Sequence, residues 1–238
     1  MSANSLFIVG ATYVLTVMAN SDVNEAIAEK PRTGLWNQYE DSNGKYIVPY
    51  QFSNSSYKSS ERCPIIAAME TIAANTCIEF RPRMSEEDYV EFINGISMGC
   101  FSKHTGRVAG KNAVYLESNE ETSCVGGYAM MPLLACLGLY GEHKRVDRDK
   151  YIKVHLENLA DPEDESIFAI ENSTKKYVSV PYDYLSIMHY GKDAFARAST
   201  ITIETLDPAF QDIIGDIKEE PTARDYEKIN VLYQCKQP

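Results

Sequence analysis

Apolar positions along the chain recur with two periods, and the change from one to the other marks the elements. After the turn cluster Asp41-Ser42-Asn43-Gly44, the run Tyr46-Ile47-Val48-Pro49-Tyr50 predicts a strand. Pro49 has no N–H to give a ladder, which predicts a place at the sheet edge. From Ser59-Ser60-Glu61-Arg62 onward, Ile65, Ile66, Met69, Ile72 and Ala73 follow helical spacing, and the helix is expected to end near Asn75. Cys77-Ile78-Glu79-Phe80 and Tyr89-Val90-Glu91-Phe92 alternate as strands, and Ala113-Val114-Tyr115-Leu116 makes another. Between Val125 and Tyr140 there is no charged residue, so this reads as the most buried stretch of the chain after its first residues. It falls short of the roughly 20 residues a membrane helix needs. A charged cluster, Glu142 to Asp149, follows it, and a final helix is expected over Thr222 to Tyr233. Strands early, a buried helix in the middle and irregular structure later predict an α+β fold rather than a parallel α/β sheet.

The first residues carry a different signal. Leu6 to Ala19 is apolar and uncharged, and Val17-Met18-Ala19 offers small-residue cleavage chemistry. Residues 1–19 therefore read as a secretory signal peptide, although Ser2 to Ser5 contain no Lys or Arg; the bland alternative is a buried N-terminal strand. Residues 20–32 are polar without a core-facing pattern and read as a short pro-segment or linker, leaving 33–238 as the folded domain. Asn54-Ser55-Ser56 and Asn172-Ser173-Thr174 are glycosylation sequons, and six cysteines in a secreted chain suggest disulfides whose pairing composition cannot choose. A net charge of −11 argues against nucleic acid or an anionic membrane surface as partner.

Three strings resemble one family. Thr76-Cys77-Ile78-Glu79-Phe80-Arg81-Pro82-Arg83 is similar to the strand after the first helix of the astacin family of zinc endopeptidases, which belong to the metzincins. Leu137 to Asp149, with Gly138, Glu142 and Arg145-Val146-Asp147-Arg148-Asp149, resembles the tail of the family's zinc signature, H-E-x-x-H-x-x-G-F-x-H-E followed by x-x-R-x-D-R-D. Ser186-Ile187-Met188-His189-Tyr190-Gly191 resembles its Met-turn. The resemblance runs from about Gly34 to Cys235. It implies a two-lobed fold: an N-terminal twisted sheet with two helices, and an irregular C-terminal lobe with one long helix. It also implies disulfides Cys77–Cys235 and Cys100–Cys124, a packing role for Met188, a transition-state role at Tyr190, and an anchoring role for Glu142 at the mature N-terminus, near Thr33. Cys63 and Cys136 are additional to that pattern; a bridge between them and two buried free thiols both stay open.

The chemistry at the centre of the signature is missing. A zinc protease of this type uses imidazoles four residues apart on one helix face, a third ligand after the turn, and a Glu that deprotonates the metal-bound water. Here the three ligand positions are Met131, Ala135 and Gly141, and the general-base position is Pro132. The four histidines are His104, His143, His155 and His189, and no two are four apart, so no register supplies the motif. Zinc, the family's cofactor, is expected to be absent, and no other cofactor is implied. Pro132 predicts that the helix begins near Met131 or kinks there, because an interior proline costs about 3 kcal/mol.

A displaced metal site built from His143, His189 and Tyr190 is the sharper reading of those residues, but nothing in their spacing supports it. The expectation is that His143 is solvated or salt-bridged and His189 a hydrogen-bonded turn residue. Glu117, Glu120 and Glu121 read as a solvated acidic loop, and Cys136 as buried. The function that follows is a secreted, monomeric pseudoprotease that binds a peptide or protein ligand as decoy or regulator. Residual or altered metallopeptidase activity, and a structural or storage component of a secretion, are the alternatives.

Overall fold

The alternating segments become five strands of one sheet: β1 (Tyr46–Phe52), β2 (Ile78–Pro82), β3 (Tyr89–Ile93), β4 (Cys100–Ser102) and β5 (Lys111–Leu116), in the order β2-β1-β3-β5-β4. The structure is a computed structural model and describes residues 34–53, 57–119, 123–215 and 220–236. The signal peptide, the pro-segment, Thr33, Asn54, Glu120 and Glu121 lie outside the described residues. β1 runs parallel to β2 and β3, β3 parallel to β5, and only β4 is antiparallel.

β1 is therefore interior, contrary to the edge position that Pro49 predicts. The reason is local. Tyr46 N–H donates to Cys77 on the β2 side and Ile47 N–H to Tyr39 on the other, so odd positions of β1 face away from β2. The missing N–H of Pro49 points to the β3 side, where pairing begins only at Tyr50. No ladder bond is lost.

The predicted helix is α1 (Ser59–Asn75), whose buried residues Ile65, Ala68, Met69 and Ile72 form one stripe against the sheet. Full burial of a side chain such as Ile65 or Ile72 contributes about 1.5–3 kcal/mol. Cys63 lies two positions before Ile65, about 200° round the helix, and is exposed. Cys136 is buried on the second helix, so the two are unbonded and neither open alternative holds: there is no bridge, and only one of the thiols is buried. The other four cysteines pair as Cys77–Cys235 and Cys100–Cys124.

The uncharged stretch forms a 3-10 turn, Gly126–Ala129, and then α2 (Met130–Cys136). Pro132 thus falls in the first turn, where its missing N–H has no helical partner to lose. The last helix, α3 (Ala223–Tyr233), is capped by Thr222, whose hydroxyl accepts from Asp225 N–H while the Asp225 carboxylate accepts from Thr222 N–H.

Two apolar clusters give the molecule its lobes. The larger joins the sheet, α1 and α2 with Met188 and with Ile229, Leu232 and Tyr233 of α3. The smaller holds Ile152, Leu159, Phe168, Tyr182, Phe195, Ile203 and Ile214 around a two-stranded sheet, β6 (Ile152–Val154) and β7 (Ile203–Thr205). Among the described residues no helix is long and apolar enough to cross a membrane.

Candidate functional site

Where the two lobes meet, α2 ends in a turn that only glycine enters without strain. Gly138 has φ +102°, and its N–H donates to Ala135 O at 2.9 Å while Leu139 N–H reaches Leu134 O at 3.0 Å. The chain then passes Gly141 into a 3-10 segment, Glu142–Lys144, pinned by Glu142 N–H donating to Met188 O at 3.1 Å. On the helix side Pro132 is buried, whereas Met131 and Ala135 are half-buried and share an open face with exposed Tyr128. These three stand at i, i+3 and i+7, and the row carries no charge and no nitrogen or oxygen that could ligate, apart from the Tyr128 hydroxyl.

Across the turn, Glu142 is fully buried and its carboxylate is fully engaged. Lys228 Nζ donates to Oε2 at 2.6 Å, while Oε1 accepts from Asp183 N–H at 2.8 Å and from Arg145 at 3.3 Å. Burial pushes the Glu142 pKa up, and Lys228 and Arg145 only partly offset that. Arg145 also makes a two-pronged contact with Asp147, at 2.8 and 2.9 Å, and donates to Val180 O. Asp225 links this cluster to the Met188 turn by accepting from the Ser186 hydroxyl at 2.5 Å and from Ile187 N–H at 3.2 Å. The N-terminal segment that the family resemblance gives Glu142 as a partner lies outside the described residues.

His189 is a hydrogen-bonded turn residue as expected: Nδ1 donates to Tyr190 O at 2.7 Å, which leaves Nε2 to accept from the Tyr182 hydroxyl at 2.8 Å. Burial drives its pKa down to about 4. His143 departs from expectation. It is 1% exposed, stacked on Tyr190 with ring centroids 4.0 Å apart, and neither ring nitrogen has a hydrogen-bond partner. Burial holds its pKa well below the usual imidazole value, with His189, Lys144 and Arg148 adding to the effect and the Ile167 main chain opposing it. It is neither solvated nor salt-bridged because its ring is enclosed by Tyr190 and Phe168, and its basic neighbour Arg148 spends its guanidinium on the His143 and Phe168 carbonyls.

His143, His189 and Tyr190 are thus brought together, with the two imidazoles 6.5 Å apart, but both nitrogens of His189 are already committed. Among the described residues no group of three or more His, Cys, Asp or Glu could hold a metal ion. Met188 packs in the larger core, and burial raises the Tyr190 pKa. Glu117 is also corrected: it is buried and accepts from Ser97 N–H, Gly99 N–H and Asn119, so it organises a loop and is not solvated. Burial lifts the Cys136 thiol to about 12, which leaves it unreactive.

Sequence reasoning passed over Lys228 and Asp225. A signal was present: they share the stripe 225, 228, 229, 232, 233 with three large apolar residues of α3.

Residues 36–234 match the sequence model of the peptidase family described as Astacin. Zinc metalloproteinase nas-5 of Caenorhabditis elegans is 39% identical over 201 residues, which are 84% of this chain and 55% of that protein. High choriolytic enzyme 1 of Oryzias latipes is 33% identical over 195 residues, 82% of this chain and 68% of the other. Its solved structure, described as a hatching enzyme zinc-protease, has a TM-score of 0.73 at 32% identity, covering 85% of this chain and 95% of that one. Meprin A subunit beta of Rattus norvegicus is 30% identical over 80% of this chain, which spans only 26% of that protein. The chain therefore spans about half the length of nas-5 and about a quarter of the meprin subunit. The expected astacin-like, α+β fold holds.

Proposed function

The chain belongs to the astacin family of peptidases, and we propose that it is a secreted, non-catalytic member that acts by holding a peptide or protein partner. The observation that carries this reading is the donor set at the ligand positions. Met131 offers a thioether, Ala135 a methyl group, Gly141 a hydrogen, and Pro132 has no carboxylate to act as base. Zinc takes thiolate, imidazole or carboxylate donors, and the residues present do not fit it. The half-exposed row Tyr128, Met131, Ala135 supports the binding half of the proposal, since it gives an extended peptide an uncharged surface.

Elemental analysis of the folded, oxidised protein should find no stoichiometric zinc, and a peptide library should stay intact with or without chelator. Stoichiometric zinc together with chelator-sensitive cleavage would overturn the proposal. Secretion rests on residues 1–19 acting as a signal, 20–32 as a short pro-segment, and on the sequons at Asn54 and Asn172, of which Asn172 is exposed. Protein recovered from culture medium should lack residues 1–19 and lose mass on treatment with an N-glycosidase. Retention inside the cell with residues 1–19 attached counts against secretion.

A further inference from the structure

We infer that His143 has become the internal filler of the former third-ligand position, its ring taking the volume that a side chain at residue 141 would need and bracing Tyr190 in place. The inference draws on the proposed function only in naming Gly141 as a ligand position; the packing stands without it.

Three observations converge. A Cβ built on Gly141 would collide with His143 Cε1 and lie 2.9 Å from Nδ1 and 3.3 Å from Nε2, so the ring must shift to admit it. The ring lies flat on Tyr190, at 4.0 Å and 21°, with Phe168 at 5.9 Å on another side. Neither ring nitrogen makes a hydrogen bond of good geometry, only a weak contact with the Ile167 main chain, so shape and stacking hold it. The main chain beneath it is pinned, because Glu142 N–H is bound to Met188 O and His143 O is bound by Arg148, so relief must come from turning the ring out of its buried stack on Tyr190.

Gly141 itself has φ −55° and ψ 139°, an extended conformation that any residue adopts. Backbone considerations alone therefore predict that Gly141→Ala is slightly stabilising, because alanine lowers the entropy of the unfolded chain. Packing against His143 predicts the opposite sign. Residues 141 and 143 are coupled, and a ligand cannot return at 141 while the imidazole at 143 remains inside.

The test is a double-mutant cycle on the full oxidised chain, read by thermal unfolding. Gly141→Ala should lower Tm by roughly 5–10 °C. In a His143→Ala background the same change should cost less than about 2 °C, a departure from additivity that contact between the two side chains requires. An unchanged or raised Tm in Gly141→Ala, or an additive cycle, overturns the inference. If Gly141→Ala does not fold, recovery of folding in Gly141→Ala/His143→Ala supports it and failure to recover overturns it. Proton NMR supplies a second readout: the His143 Cε1–H resonance, displaced by the Tyr190 ring, should move toward the exposed-histidine position in folded Gly141→Ala, and an unmoved resonance also overturns the inference. Zinc found in the unaltered protein would sink the non-catalytic reading without touching this cycle, and an additive cycle would sink only the filler.

Discussion

Lys228→Met is expected to destabilise the protein by about 3–5 kcal/mol, the cost of removing one partner from a buried ion pair. Lys228 is 0% exposed and its Nζ lies 2.6 Å from Glu142 and 3.4 Å from Asp225. Methionine keeps most of the stem volume, so the change isolates the charge. It leaves the Glu142 carboxylate in a dry site with Arg145 at 3.3 Å and one main-chain N–H. Burial already raises the Glu142 pKa, and losing Lys228 raises it further. A carboxyl whose folded pKa lies above its unfolded value loses stability as pH rises from the unfolded pKa through the folded one. The deficit of the variant should therefore be largest at neutral pH and shrink toward pH 4.5, the ordinary value for this group. Urea unfolding at the two pH values measures it. Lys228→Met/Glu142→Leu should recover much of the loss, since an apolar pair of similar volume is often as good as the ions. A loss below about 1 kcal/mol at neutral pH would mean that Arg145 holds Glu142 by itself.

How far this core was legible from sequence depends on whether its signal is local. The α1 stripe of Ile65, Met69 and Ile72, and the alternation at Tyr89–Phe92, are properties of consecutive residues, and the structure repeats them. Strand order is not such a property. Pro49 points to an edge only on the assumption that an interior strand is paired on both flanks at every position, and here the β3 flank is still open at Pro49. His143 misled for a related reason. Its neighbours Glu142, Lys144 and Arg145 suggest a solvated segment, yet Glu142 and Arg145 turn inward to meet Lys228, Asp147 and each other, and the imidazole follows them. Glu117 looks solvated from sequence because its partners, Ser97 and Gly99, sit in a loop 20 and 18 residues away.

The absence of the zinc motif, by contrast, needed no structure. Four histidines with no pair four apart exclude it in every register. The signature's flanks stand beside Met131, Ala135 and Gly141 for a physical reason. Arg145 donates to the Asp147 carboxylate and the Val180 carbonyl, Arg148 donates to the His143 carbonyl, and the Met188 carbonyl accepts from Glu142 N–H, and together these hold the turn. These contacts build the fold and ask nothing of a metal.

The same buried turn makes the protein sensitive to acid well above the range in which exposed carboxylates titrate. His189 has its folded pKa driven down to about 4 from an ordinary value of 6.5. A histidine with a depressed folded pKa costs no stability above the unfolded value, where neither state binds the proton. Below it, the unfolded chain takes up the proton and the folded chain does not, so stability falls with pH until the folded pKa is reached. For His189 that window runs from 6.5 down to about 4. The expected loss is about 2 kcal/mol by pH 5 and about 3 kcal/mol by pH 4. His143 is depressed in the same direction and adds to the slope. Glu142 acts in the opposite sense, because its raised pKa favours the folded state as pH falls. His155, half-buried between the exposed carboxylates of Glu157 and Glu204, also opposes the loss, but solvent screening keeps its share small. Comparing the unaltered protein with His189→Gln removes both opposing groups from the difference, since they are common to the two chains. Urea midpoints measured from pH 7.5 to 5 should fall steeply for the unaltered protein and more gently for His189→Gln. Equal slopes would mean that His189 takes up its proton in the folded state as readily as in the unfolded one, and that the Tyr182 and Tyr190 contacts do not exclude the charge.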